Sequence, residues 1–285
     1  MSAPRLVVTN DDGIAAEGLH ALVRGLGAAG LPAVTLAPAE NRSGVSRNAS
    51  YGWPVPVERL ADVGAIPHYA VRGFPVDCVR VGMLGELGAG AELVVSGINH
   101  GPNLGDDTLN SGTVGAAIEG ALLGATGLAV SQQHFDGHFH ILDSHDPTTP
   151  VYDTTAAIAA MFAAAMLERE APERAVLNVN VPATVREARV EVTRLGRRFY
   201  PGDSLIEAER EGIHGLLTYG ERNGPPPPYE DEPGTDFGAL AAGRVSATPM
   251  SFAWHRADSG AEAAVWAAEI CAEVERQLAA TFAAG

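Results

Sequence analysis

Three polar turns in this sequence carry side chains that are suited to binding a metal ion or an anion. Asp11 and Asp12 lie in a turn at residues 10–13, which directly follows a β-rich run at residues 5–9. Adjacent carboxylates repel each other unless a cation lies beside them. Ser43 lies in a second polar turn, and Asn99 follows a third apolar run. Because Mg²⁺ and Mn²⁺ prefer oxygen ligands, these side chains are compatible with a divalent metal site.

A possible anion site follows at Ser111, Gly112 and Thr113, which open a helix predicted at residues 113–123. The free backbone N–H groups at a helix start, the two hydroxyls and the positive end of the helix dipole suit a phosphate group. The alternative is structural, with Ser111 acting only as the helix N-cap in a glycine-rich turn. The segment from Asn10 to Gly13 has the same ambiguity, because its residues are also typical of tight turns.

The turns connect short apolar runs, and these runs alternate along the chain with segments of helical spacing. Strands are predicted at 5–9, 33–37, 69–72, 92–95, 127–131 and 174–181, and helices at 17–28, 75–87, 113–123 and 153–169. This alternation predicts an α/β fold with a doubly wound, mostly parallel sheet. The carboxyl ends of parallel strands share one edge of a sheet, so the three polar turns are expected to converge there.

Residues 183–285 have a different pattern, and we interpret them as a C-terminal extension of a Rossmann-like core at residues 1–182. Strands of a hairpin or extension are predicted at 190–195 and 215–219, a stiff proline loop at 225–228, a helix at 237–242 capped by Thr235 and Asp236, a strand at 244–249 and an amphipathic helix at 261–282. The extension is expected to complete the same fold and to mediate oligomerisation.

The composition limits the classes of function. The formal net charge is −16, which argues against a protein that grips nucleic acid through its phosphates. A small anionic substrate remains compatible if a metal ion offsets the acidic surface. Cys78 and Cys271 lie in apolar periodic segments and are expected to be buried thiols in a reducing compartment. No signal-peptide pattern or apolar run of about 18 residues is present, so we expect a cytoplasmic protein without a membrane partner.

Several other motifs have weaker chemical interpretations. Residues 25–30 match G-x-G-x-x-G, but they end a helix, whereas the dinucleotide fingerprint opens one. A cluster of histidines favours a solvated loop over a zinc site. Those histidines are His134, His138, His140 and His145. Asp106 and Asp107 are suited either to a metal or to shaping their loop, and the orientation of His100 is left open.

The motifs together resemble the SurE-type survival protein family of metal-dependent nucleoside monophosphate phosphatases. The matching segments are VTNDDGI (8–14), APAENRSGVS (37–46), VRGFPVDCV (71–79), VVSGINHGPNLGDDTLNSGTVGAAIEG (94–120) and TDFGAL with GRVSATPM (235–250). The resemblance implies hydrolysis of nucleoside 5′- and 3′-monophosphates, with short polyphosphate as a side substrate. It also implies a Rossmann-like domain whose C-terminal extension joins subunits into a homodimer or homotetramer.

The resemblance further implies a role for individual residues. One divalent metal per subunit, Mg²⁺ or Mn²⁺, is expected on Asp11, Asp12, Ser43 and Asn99. The phosphate is expected against Asn41, Gly44, Asn99, Ser111, Gly112 and Thr113, and the catalytic residues are expected to be Asp11, Asp12, Asn99 and Ser111. Asn110 and Phe74 depart from the family pattern, which usually has Tyr and Thr at these positions, so the substrate preference is not fixed.

Two questions stay open at this level. Asp11 or Asp12 can serve as a base or as a nucleophile that forms an aspartyl-phosphate, and metal-activated water is the alternative nucleophile. A haloacid-dehalogenase-like phosphatase is disfavoured, because it needs Asp-x-Asp rather than adjacent Asp residues. The non-enzymatic alternative is a metal or nucleotide sensor on the same scaffold.

Overall fold

In the computed structural model, strands and helices alternate along the chain. The structure describes residues 3–133, 152–199, 204–207, 216–219, 229–230 and 232–284. The strands are β1 (Leu6–Thr9), β2 (Ala33–Pro38), β3 (Val57–Arg59), β4 (His68–Val71), β5 (Leu93–His100), β6 (Thr126–Gln132), β7 (Ala175–Val181), β8 (Val190–Val192), β9 (Ser204–Glu207), β10 (Leu216–Tyr219) and β11 (Val245–Ser251). The helices are α1 (Glu17–Ala28), α2 (Pro75–Leu84), α3 (Gly112–Leu122), α4 (Asp153–Leu167), α5 (Asp236–Ala241) and α6 (Ser259–Ala284), with a 3₁₀ helix at Gly105–Leu109.

Within the described residues, nine strands form one sheet in the order β3-β4-β2-β1-β5-β6-β7-β11-β8. The six strands from β4 to β7 in this order are mutually parallel, β3 and β11 pair antiparallel with their neighbours, and β8 runs parallel to β11. The predicted α/β fold with a mostly parallel sheet is therefore confirmed.

Helices cover both faces of this sheet. On one face, α1, α4 and α6 contribute Leu22, Phe162 and Ile270 to a single buried cluster. Leu19, Leu22 and Leu26 are spaced so that they lie on the same side of α1, which is the side buried on the sheet. On the other face, α2 and α3 bury small and branched side chains against the strands. The sheet is thus doubly wound, as the alternation of elements requires.

The structure refines the strand assignment. For the segment predicted at 190–195, the sequence left a hairpin or an extension open, and the structure shows an extension, because β8 pairs with β11 in the main sheet. The hairpin partner of β10 is β9, at Ser204–Glu207. The edge strand β3 was not predicted, since its three residues are all exposed and show no apolar alternation.

The strand β5 continues into the polar segment that the sequence predicts as a loop. Its register against β6 shifts between Ser96 and Asn99, which is the irregularity of a β-bulge. Gly97 makes this possible, because a Cβ at this position would lie 2.3 Å from the carbonyl oxygen of Val130, and its φ is +143°. As a result, Asn99 is held on a paired strand end rather than on a free loop.

Two further predictions concern membrane-spanning helices and the two cysteines. In the described part of the chain, no helix has the length and apolar character needed to cross a membrane. Cys78 and Cys271 are both buried and free, as predicted.

Candidate functional site

The three polar turns lie on one rim of the sheet, because β2, β1 and β5 are neighbours and run parallel. Asp11 and Asp12 follow β1, Ser43 lies in the loop after β2, and Asn99 lies near the end of β5. The backbone N–H of Arg42 donates to the carbonyl oxygen of Asp11 at 2.6 Å and joins the first two turns. The candidate site is therefore assembled from segments that are distant in sequence.

Thr113 connects the first and third segments of the site. Its hydroxyl donates to Asp11 Oδ1 and lies 3.3 Å from Asn99 Oδ1. The amide nitrogen of Asn99 donates to the carbonyl oxygen of Gly101 at 2.7 Å, which orients Asn99 Oδ1 toward Thr113. Asp11, Asn99 and Thr113 are all buried, so this contact is shielded from solvent.

Asp12 bridges the second and third segments. Its Oδ1 accepts a hydrogen bond from the Ser43 hydroxyl, and its Oδ2 accepts one from the backbone N–H of His100, both at 3.2 Å. Sequence reasoning missed the His100 contact, because a backbone donor leaves no signature in residue types. The contact fixes the Asp12 carboxylate between the ends of β2 and β5.

Both carboxyl groups have a raised pKa. Burial raises the pKa of Asp11, and the hydroxyl of Thr113 and nearby backbone N–H groups oppose that rise. Burial and the neighbouring charge of Asp11 raise the pKa of Asp12 to about 7, against the opposing effect of the His100 N–H and the Ser43 hydroxyl. Adjacent carboxyl groups with raised pKa values are stabilised in their charged form by a nearby cation, and the surrounding oxygen donors fit a hard divalent one.

The donor set contains only two carboxylates. Accordingly, the residues that the structure describes include no group of three or more His, Cys, Asp or Glu side chains placed to hold a metal. Any metal at this rim would depend on the neutral oxygens of Ser43 and Asn99 to complete the protein's share of its ligands.

The polar groups at the start of α3 already have partners within the protein. Ser111 is the N-cap, and its hydroxyl oxygen accepts the N–H of Val114 at 3.1 Å. The backbone amides of Gly112 and Thr113 lie close enough to the Asp11 carboxylate to oppose the rise in its pKa. In this structure the group that faces the first amides of α3 is therefore the side-chain carboxyl of Asp11.

Asn41 and Gly44 lie in the exposed loop after β2. Asn41 Oδ1 accepts the backbone N–H of Ser43 at 2.8 Å, which is an Asx turn. Among the contacts described for these two residues, none reaches Asp11 or Asp12. Their direct contribution is to the shape of the loop that presents Ser43.

The other residues that the sequence suggested for the site include His100, Asp106, Asp107 and Asn110. The Nδ1 atom of His100 lies 3.0 Å from the hydroxyl of Tyr152, so the ring faces the start of α4. Asp106 accepts the backbone N–H of Arg198, and Asp107 forms an ion pair with its guanidinium group. Asn110 is exposed at the end of the 3₁₀ helix. The four clustered histidines, His134, His138, His140 and His145, lie outside the described residues.

A buried hydrogen-bond network around Asn103 was also missed by sequence reasoning. The backbone N–H of Asn103 donates to Asn180 Oδ1, and its carbonyl oxygen accepts from the amide groups of Asn178 and Asn180, at 2.8 to 3.0 Å. The side-chain amide of Asn103 donates to the Ser131 hydroxyl at 2.8 Å. The signal was present, because two Asn residues in an otherwise apolar buried strand require partners.

The raised pKa of Asp12 predicts a pH-dependent stability. Its protonated form is favoured in the folded state, so its contribution to stability is present below about pH 4 and is lost as the pH rises through about 7. In chelator, we expect the unfolding free energy of wild type minus that of Asp12→Asn to fall by on the order of 3 kcal/mol between pH 4 and pH 8. Urea titrations at each pH measure it, and a difference that does not change with pH contradicts the assignment.

Comparison with known proteins shows which family this chain resembles in sequence. Residues 6–202 match the family described as survival protein SurE. A 5′-nucleotidase SurE of Rubrobacter xylanophilus is 44% identical over 254 residues, covering 86% of this chain and 91% of that protein. A 5′-nucleotidase SurE of Aeromonas hydrophila is 38% identical over 252 residues, covering 87% and 92%.

A solved structure is similar in fold as well. The crystal structure of the SurE protein from Aquifex aeolicus superposes with a TM-score of 0.67 at 30% identity and covers 87% of this chain and 93% of that one. The family match spans more than half of the chain, including all three turns of the candidate site. The chain therefore belongs to the survival protein SurE family.

Proposed function

We propose that this protein is a metal-dependent phosphomonoesterase that hydrolyses nucleoside 5′- and 3′-monophosphates to a nucleoside and phosphate. The observation that carries the proposal is the adjacent pair Asp11 and Asp12 on one rim of the sheet. Asp12 accepts a hydrogen bond from Ser43, and Asp11 accepts one from Thr113, whose hydroxyl also lies next to Asn99. The names of the similar proteins, 5′-nucleotidase SurE, support the same activity.

We assign one divalent metal per subunit, Mg²⁺ or Mn²⁺, to Asp11, Asp12, Ser43 and Asn99. These side chains offer two carboxylates, a hydroxyl and an amide oxygen, which is the chemistry that such ions prefer. When bound, the metal would polarise a phosphoryl oxygen and neutralise part of the phosphate charge.

The chain's own residues hold the substrate in this proposal. The substrate phosphate binds beside Ser111, Gly112 and Thr113. The Ser111 hydroxyl and the backbone amides stabilise charge that develops on the phosphoryl oxygens, while the Thr113 hydroxyl holds Asp11. Asn41, Gly44 and Asn99 complete the phosphate site. Since the amides of α3 already face Asp11, that carboxylate and the phosphate share one positive helix end.

We favour water over a carboxylate as the nucleophile. The oxygen of water forms the new bond to phosphorus and releases a proton as the ester P–O bond breaks. The ester oxygen takes up a proton and leaves as the hydroxyl of the nucleoside. Hydrogen bonds from Thr113 to Asp11, and from Ser43 and His100 to Asp12, fix both carboxylates and reduce their nucleophilicity. Rapid acid quench during turnover tests this choice, because a trapped aspartyl-phosphate would overturn it.

The activity itself is tested by phosphate release from AMP and from 3′-AMP. We expect turnover with Mn²⁺ or Mg²⁺, none above background in excess chelator, and recovery when metal is restored. Calorimetry of AMP binding to the metal-loaded protein distinguishes an enzyme from a non-catalytic sensor. Tight AMP binding without any phosphate release would identify a metal or nucleotide sensor and reject the enzyme.

Ser111 provides a prediction that separates its two roles. Ser111→Ala removes both the cap and the hydroxyl donor, and we expect it to cost about 1 kcal/mol of stability and to weaken inhibition by inorganic phosphate about tenfold. Ser111→Asn keeps an acceptor for the N–H of Val114 but lacks the hydroxyl. If Ser111→Asn retains wild-type stability and still loses phosphate inhibition, the hydroxyl binds phosphate; unchanged inhibition in both variants removes Ser111 from the site.

We further propose a cytoplasmic homodimer or homotetramer in which residues 183–285 form the subunit contact. The two buried, free cysteines are consistent with a reducing compartment. In this segment Trp254 is 84% exposed and lies beside Phe252, which is the kind of apolar surface that subunit contacts cover. Light scattering on the purified protein measures the assembly, and a monomer at micromolar concentration would reject it.

A further inference from the structure

The loop between β5 and α3 is anchored by a carboxylate from the C-terminal extension. Asp236 is fully buried, and its Oδ2 accepts the backbone N–H of Gly105 at 2.8 Å. Its Oδ1 accepts the N–H groups of Gly196 and Phe237, at 2.7 and 3.0 Å. One side chain thus joins the first residue of the 3₁₀ helix to two segments that lie far along the chain.

A buried arginine holds the same 3₁₀ helix at its middle. The backbone N–H of Arg198 donates to Asp106 Oδ2 at 3.1 Å, and its guanidinium forms an ion pair of 2.7 Å with Asp107 Oδ2. The guanidinium carbon also lies 5.2 Å from the centre of the Phe237 ring, next to Asp236. The Arg198 side chain is only 2% exposed and that of Asp107 is 31% exposed, so the ion pair is screened less than one between two surface side chains.

The far end of the 3₁₀ helix leads directly into the candidate site. The hydroxyl and N–H of Ser46 donate to the carbonyl oxygens of Leu109 and Asn110, at 2.6 and 3.0 Å, which ties this end to the loop that carries Ser43. The next residue is Ser111, the N-cap of α3. A shift of the 3₁₀ helix would therefore move the start of α3 relative to Asp11.

We propose that Asp236 and Arg198 are positioning residues, which hold the 3₁₀ helix so that the start of α3 keeps its place against Asp11. The inference rests on the proposed function, and it assigns part of the catalytic geometry to the C-terminal extension. Neither residue touches the metal candidates or the phosphate elements in the contacts described, so both act through Gly105–Leu109.

The test uses three substitutions at these two residues. Asp236→Asn keeps the shape but replaces one acceptor oxygen with an NH₂ group, which must face at least one of three N–H donors. Arg198→Met removes the charge but keeps an apolar stem, and Arg198→Lys restores only the charge. With AMP and Mn²⁺ well below the melting temperature, we expect kcat/KM to fall about 10- to 100-fold in Asp236→Asn and Arg198→Met. Arg198→Lys should recover part of the loss.

Metal affinity separates positioning from general damage. The Mn²⁺ dissociation constant should rise by a much smaller factor than the fall in kcat/KM, because the four candidate ligands are not on the 3₁₀ helix and are linked to it indirectly, through Ser46 and Thr113. Thr193→Val is the matched control, since its buried hydroxyl contacts Ser246 and Thr248 in the extension and should change stability without lowering kcat/KM. A parallel loss of Mn²⁺ affinity and kcat/KM, or an unchanged kcat/KM, would overturn the inference.

Hydrogen exchange of residues 105–114, followed by mass spectrometry, reports position independently of catalysis. We expect faster exchange there in Asp236→Asn than in Thr193→Val, and unchanged exchange in that segment would also reject the proposal. If wild type hydrolyses no nucleotide, the proposed function fails, and the exchange result still decides whether Asp236 fixes the segment. Should Asp236→Asn fail to fold, the Arg198→Met and Arg198→Lys pair carries the same comparison.

Discussion

Replacing Asp11 with Asn is expected to lower kcat for AMP hydrolysis by at least about 10³-fold without destabilising the metal-free protein. Asn has the same shape but no charge, so a bound metal would lose one of its two carboxylates. Burial raises the pKa of Asp11, which means that its charged form is unfavourable in the metal-free protein. At pH 8 in chelator, the variant should therefore unfold at the same denaturant concentration as wild type or at a higher one.

Asp77→Asn is the matched control for this change. Asp77 is also a buried carboxylate, but it accepts hydrogen bonds from the N–H and hydroxyl of Ser50 and from the N–H of Phe74, at 2.7 to 3.0 Å. Removing its charge should cost about 1–3 kcal/mol and leave kcat near wild type. The opposite pattern, with Asp11→Asn unstable but active within about tenfold, would make Asp11 a structural residue.

The gathering of the three turns was predictable from the sequence, and the reason is topological. Alternating strands and helices give a parallel sheet, and a parallel sheet brings its carboxyl ends to one rim. Asp11, Ser43 and Asn99 could thus be placed together without knowledge of any side-chain contact. The structure has these residues on the neighbouring strands β1, β2 and β5 or in the turns that follow them.

Pairings that depend on register were not predictable. β3 and the β9–β10 hairpin are short, and partner choice in short strands depends on turn geometry more than on residue preference. The extension of β5 to Asn99 was missed because Gly97 reads as a loop residue, although its lack of a side chain is what permits the close approach to Val130.

The partners of the hydrogen-bond donors at the site could not be predicted from the sequence either. Free amides at a helix start predict an anion but do not say which anion, and here the Asp11 carboxylate lies there. The sequence likewise marks Asp236 as a capping residue, whereas its carboxylate reaches Gly105, which is 131 positions away. Such contacts follow from tertiary packing, which single-residue preferences do not encode.

Gly112→Ala is the second change with a large expected effect, because it tests how closely α3 must approach Asp11. A Cβ at Gly112 would lie 2.8 Å from Asp11 Cβ and 2.9 Å from Asp11 Oδ2, which is closer than real side chains pack. Either the carboxylate or the start of α3 must move, and a displacement of about 1 Å at a reacting centre can cost about 10²-fold in rate. We therefore expect kcat/KM for AMP to fall about 100-fold.

The stability of Gly112→Ala should change little, because two effects oppose each other. Ala is favoured over Gly in a helix by about 0.5–1 kcal/mol, and the clash with Asp11 offsets that gain. Gly260→Ala in α6 is the control, since a Cβ there has no atom within 4 Å and its effect should be confined to helix preference, with kcat/KM unchanged. If Gly112→Ala keeps kcat/KM within about threefold of wild type, the carboxylate of Asp11 need not sit against the first amides of α3, and the shared anion site proposed for Asp11 and phosphate is wrong.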